Sequence, residues 1–231
     1  MNIRAFLGRG REFLKRMRIG ESARNPSGTF SLLALRLERD LPRQERGRSV
    51  FVVTADDDAV GLDATMELAW CLAEELGHTV LLVDGAFDRL PLSTALGAAD
   101  KAGLAELICA SDTTHATLEG TVQPTAHPRI SMLPRGNDTG ERVTRVESIR
   151  SVLISACQQY DFVLVLGTVL VEGSRSLAFS SLVDAALLLA VEEQTTVDEV
   201  TRGKRILNDC GAARVALVLA NRPQAQRSGG R

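Results

Sequence analysis

Apolar residues along the 231-residue chain fall into two alternating kinds of segment. The first kind is a short, continuous apolar run: residues 50–54, 78–84, 130–134, 161–171, 185–191 and 214–219. Runs of this length, rich in valine and leucine, predict buried strands of a parallel sheet. The second kind has apolar residues three and four apart. Met66, Leu68, Ala69, Leu72, Ala73 and Leu76 form such a stripe, which predicts a helix. Helices are also predicted over residues 30–41, with Leu33, Leu37 and Leu41 on one face, and over 141–159, 176–182 and 195–209. Residues 88–110 predict a turn and two short helices, the second from Leu104; residues 111–129 are polar and predict a loop. Strands alternating with helices imply an α/β fold: a doubly wound, mostly parallel sheet with helices on both faces.

At the N-terminus, Ile3, Phe6, Leu7, Phe13, Leu14 and Met17 share one helical face, and Arg4, Arg9, Arg11, Lys15, Arg16 and Arg18 cover much of the rest. Residues 1–19 thus predict a basic amphipathic helix, though Gly8 and Gly10 weaken it by about 1 kcal/mol each. Such a helix suits an anionic membrane surface or a protein face. The expected organisation is an arm and linker over 1–25, one domain over 26–222, and a polar tail over 223–231. The net charge of −2 hides an asymmetry: residues 1–48 carry twelve Arg/Lys and five Asp/Glu, so they sum to +7 and the rest to −9. A basic arm on an acidic body argues for an acidic or membrane partner and against nucleic acid. No stretch approaches the roughly eighteen apolar residues of a membrane span. The expected location is cytoplasmic, possible attachment being peripheral. Four scattered cysteines read as small buried hydrophobes, and three histidines without ligand spacing read as structural or solvated.

The first run, the polar residues 55–63 and the helix after them have the strand–loop–helix form of a phosphate-binding loop. Such a loop needs glycines to bring N–H groups to phosphate, a lysine for charge and a Ser/Thr for magnesium. Gly61 is present, but Leu62 and Asp63 follow it, and Asp56, Asp57 and Asp58 precede it. Two like charges about 4 Å apart repel by about 1 kcal/mol in water and about 4 kcal/mol at an effective dielectric of 20. Four aspartates here oppose what a helix N-terminus offers an anion. The stretch reads as a former nucleotide site. Asp84 ends the second run at the sheet edge where ligands bind in α/β folds; a helix cap or a solvated strand end are its bland alternatives.

The order and spacing of four segments resemble the cytoplasmic tyrosine kinases of bacterial capsule and exopolysaccharide export, relatives of the MinD/ParA group of P-loop ATPases. The segments are residues 50–84, 86–108, 130–136 and 160–171 continued by 182–190. The resemblance implies a P-loop NTPase-like fold over about residues 26–221. It also marks departures. The family's P-loop lysine falls on Leu62 and its magnesium-binding Ser/Thr on Asp63. Its second motif has two acids, of which the first matches Asp84 and the second falls on Ala86. Its third-motif aspartate falls on Leu166, with Gly167, Thr168 and Val169 after it. Its ring-forming motif falls on Gly28, Ser31 and Ala34. The C-terminal tyrosine cluster is missing, Tyr160 being the one tyrosine.

Phosphoryl transfer rests almost wholly on positioning and charge, so these departures imply lost ATP and magnesium binding and no catalytic residue. The resulting expectation is a pseudokinase scaffold in polysaccharide assembly, partnered by an active kinase or a membrane chain-length regulator. Two alternatives stand beside it. One is an ATPase or tyrosine kinase whose aspartates, Asp56, Asp57, Asp58, Asp63 and Asp84, hold a divalent cation through oxygen ligands. The other is a MinD-like positioning protein seated on membrane by residues 1–19.

Overall fold

The computed structural model describes residues 2–6, 28–41, 45–55, 58–87, 91–109, 117–137, 146–170 and 174–221. Among the described residues there are eight strands: β1 (Asn2–Phe6), β2 (Arg48–Thr54), β3 (Val80–Asp84), β4 (Gln123–Pro124), β5 (Ile130–Leu133), β6 (Phe162–Val169), β7 (Ala185–Val191) and β8 (Val215–Asn221). The helices are α1 (Gly28–Asp40), α2 (Asp58–Trp70), α3 (Pro91–Ala95), α4 (Leu104–Cys109), α5 (Leu118–Thr121), α6 (Val146–Gln159) and α7 (Val197–Asp209). A π turn, Cys71–Glu75, continues α2, and a 3-10 helix, Arg175–Phe179, follows β6.

The strands make one sheet in the order β1-β8-β7-β2-β6-β3-β5-β4. Every neighbouring pair is parallel except β4 with β5. Alternate residues of each central strand serve opposite faces. Val50, Val52, Val80, Leu82, Leu164 and Leu166 join the core under α1 and α2. Phe51, Val53, Leu81, Val83, Val163 and Val165 join the core under α4, α6 and α7. Both faces are covered, which is why these strands read as unbroken apolar runs rather than alternating ones.

Three expectations change. Residues 2–6 are not the start of a helix: Asn2 to Phe6 pair in register with Leu217 to Asn221 of β8. Phe6 is thus a strand residue, and the proposed separate arm contributes to the sheet. A five-residue match to a waiting strand edge overrides a helical pattern that two glycines interrupt. The rest of the arm, with Leu7, Arg11, Phe13, Leu14, Lys15 and Arg16, lies outside the described residues, as do residues 222–231.

The predicted loop over 55–63 also ends early. The helix begins at Asp58, so Gly61, Leu62 and Asp63 sit within α2. Asp is at home at a helix start, where it meets free N–H groups and the positive end of the dipole. Finally, the region read as a loop over 111–129 contains α5, with Thr117 Oγ1 accepting from Gly120 N, and the short strand β4.

The histidines are structural where described. His78 and His127 are buried, and their Nε2 atoms lie 3.0 Å from carboxylate oxygens of Glu38 and Glu74; His115 lies outside the described residues. All four cysteines are free. Cys71 and Cys157 are buried as expected, whereas Cys109 and Cys210 are only partly so.

Candidate functional site

The ends of β2, β6 and β3 form the C-terminal edge of the sheet, where α/β proteins bind ligands. Here β2 runs into α2, as in a nucleotide-binding protein. Asp56 and Asp57 lie outside the described residues, and only the backbone of Asp58 is described.

Gly61 is buried against the strand ends. A Cβ at this position would stand 2.9 Å from Thr54 Cγ2 and 3.4 Å from Leu166 Cδ1. The Thr65 hydroxyl donates to the Gly61 carbonyl at 2.7 Å, within the helix. Leu62 is half-buried and packs on the core shared by Val60, Ala64 and Leu166. Asp63 is half-buried beside it.

Leu166 lies opposite Asp84 across the β6–β3 ladder, and its carbonyl accepts from Gly85 N at 2.9 Å. Its side chain is 1% exposed. It therefore occupies, with hydrocarbon, the space between the start of α2 and the end of β3. Ala86 is wholly buried as well. Thr168 is buried with its hydroxyl 3.1 Å from that of Ser174 and 3.3 Å from that of Ser176.

Asp84 is wholly buried. Its Oδ2 accepts from Ser93 N at 2.7 Å and from Ser93 Oγ at 2.6 Å. Ser93 lies in α3, so Asp84 caps that helix; of the three roles open to it, the cap is the one the geometry displays. Ser93 Oγ in turn accepts from Arg135 N at 3.0 Å, and the Arg135 guanidinium reaches the Phe87 carbonyl at 3.1 Å. Asp84 Oδ1 is buried without a hydrogen bond of ordinary geometry. Burial pushes this carboxyl above its usual range; the Ser93 hydroxyl, the Ser93 and Ala86 N–H groups and the Arg135 charge pull the other way and are outweighed.

The structure thus sets Gly61 against Leu166, seats Leu62 on the same core and places Asp84 opposite Leu166, with Ala86 buried two residues beyond Asp84. Ser93 and Arg135 belong to the same cluster and escaped the reading of the sequence. Their signal is weak: a serine two residues after Pro91, in the first turn of a short helix, and an arginine just past a strand. Among the described residues no group of three or more His, Cys, Asp or Glu is placed to hold a metal ion. No described helix is long and apolar enough to cross a membrane.

The chain has the fold of P-loop ATPases and of bacterial tyrosine kinase domains. It is similar to the kinase domain of the Escherichia coli tyrosine kinase ETK, at 19% identity and a TM-score of 0.78, over 99% of this chain and 93% of that one. It is similar to the chimerical protein CapA2B2, at 17% identity and a TM-score of 0.76, over 95% and 92% of the two chains. The cell division ATPase MinD of Pyrococcus furiosus matches at 23% identity and a TM-score of 0.59, over 75% of this chain and 71% of that one. No protein-family model matches the sequence, and no curated protein matches it.

Proposed function

We propose that the protein is a tyrosine-kinase-like scaffold without nucleotide chemistry, acting as a regulator in bacterial polysaccharide assembly and export. The observation that carries this reading is Leu166. In an ATP-hydrolysing or kinase site an acid at this strand end faces magnesium; here a leucine with 1% exposure is part of the core beneath α2. Leu62, in place of a lysine, packs on the same core. Asp84 is engaged in capping α3 through Ser93. A site that stabilises phosphoryl transfer needs charges aimed at the phosphate, and hydrocarbon in these places supplies none.

The fold shared with tyrosine kinase domains supports the cellular setting. A partner that is itself a kinase, or the cytoplasmic end of a membrane chain-length regulator, would use the outer surface rather than the filled cleft. The test is calorimetric titration of the protein with ATP and ADP, with and without magnesium. The expected result is no binding at millimolar nucleotide. Micromolar binding that requires magnesium would overturn the reading and assign the aspartates of residues 56–63 to a metal.

A further inference from the structure

We propose that β1 is an exchangeable strand, and that the edge of β8 can take the same segment from a second copy of the chain. The starting observation is the unequal treatment of the two sheet edges. At one edge stands β4, two residues long and containing Pro124. A short strand with a proline is a protected edge, since it offers few free groups to a newcomer. At the other side, β8 reads Val-Ala-Leu-Val-Leu-Ala-Asn. It has no proline and no charge. Val218 and Ala220 are buried in the core. Left as an edge, β8 would be a long apolar strand with a free row of N–H and C=O groups.

What covers it is β1, and the cover is remote in sequence. Asn2 pairs with Leu217 and Phe6 with Asn221, while α1 lies against β1 from the next element of the chain. Between β1 and α1 run residues 7–27, twenty-one in number. A connection of that length spans at most about 70 Å, enough to reach a neighbouring molecule. The strand contributes backbone pairing in one parallel register, and every copy carries both the strand and its acceptor. Reciprocal exchange therefore reproduces each β1–β8 bond and closes the pair with two-fold symmetry. Pairing within one copy and pairing between copies make the same bonds, so mass action sets the balance between them. Exchange thus grows with local concentration, as when copies are gathered on a common partner.

The test uses the register itself. Ile3 pairs with Val218, so a full-length Ile3→Cys/Val218→Cys variant is prepared unlabelled and nitrogen-15-labelled. The two are mixed, incubated, oxidised and digested, and disulfide-linked peptides joining positions 3 and 218 are weighed. Reading this one peptide pair by mass removes interference from the native cysteines. The expected result is mixed-label pairs, rising several-fold as total protein goes from about 10 µM to about 1 mM. Same-label pairs alone across that range would overturn exchange and leave β1 a private strand. Failure to link positions 3 and 218 in either way would overturn the β1–β8 register and the proposal with it.

Discussion

Leu166 and Asp84 are neighbours on adjacent strands, and their environments give them opposite responses to substitution. Leu166→Asp would put a second carboxyl in a mostly apolar core, opposite the buried Asp84. The expected cost is about 3 kcal/mol or more, read as a fall in the urea midpoint, with no gain of Mg-ATP binding. A stable variant that binds Mg-ATP would show that the cleft admits solvent and metal. Asp84 makes a pH-dependent contribution. Its carboxyl is raised above the ordinary value of 3.8, chiefly by burial. The folded state therefore holds its proton more tightly than the unfolded one. Its contribution is fully favourable below 3.8 and declines as pH rises through the folded value. Asp84→Asn keeps an acceptor for Ser93 and removes the titration. The stability of the wild type relative to this variant should fall as pH is raised from the ordinary carboxylate range, measured by denaturant unfolding at a series of pH values. A difference independent of pH would contradict the burial argument.

Elements of the chain differ in how plainly their sequence announces them. The five central strands β2, β3, β5, β6 and β7 are continuous apolar runs because both faces of the sheet are covered, and they lie where the pattern puts them. The start of α2 was harder to read, since Asp56–Asp58 suit a solvated loop and a helix N-terminus equally. β1 was invisible for a different reason. Its acceptor is more than two hundred residues away, and nothing local to Ile3 or Phe6 records it. Asp84 was legible as a site of interest by its place at a strand end, whereas Ser93 and Arg135 are recognisable only once α3 and β5 are brought beside it. Within residues 86–108, Gly103 serves backbone packing. A Cβ on Gly103 would overlap the Pro134 carbonyl, which accepts from Leu104 N at 2.8 Å, while Arg135 O accepts from Ala105 N at 2.8 Å. Gly103→Ala should push α4 off the end of β5 and cost about 1–3 kcal/mol, a fall in Tm of roughly 3–10 °C by calorimetric scanning. An unchanged Tm would mean that α4 can shift without loss.

At the scale of the whole molecule, β8 is covered on its outer side by residues 2–6 of the same chain. Deleting residues 2–6 should uncover β8 and make the protein scatter light at concentrations where the full chain stays clear. Adding Leu219→Lys to the deletion should reduce the scattering, because a lysine on an exposed edge discourages pairing. Equal scattering of full-length and deleted protein would show that β8 needs no cover. The filled strand end has a consequence of another kind, in the history open to the chain. Leu166 is held by α2, and α2 is held by Leu166 and Leu62 in the same core. Each residue that a nucleotide site would need arrives singly by mutation, and the first to arrive unsettles the fold before the others can give it a ligand. On the proposed reading such a core is entrenched: it can accumulate change on its surface and at its edges, while a route to phosphoryl chemistry passes through unstable intermediates.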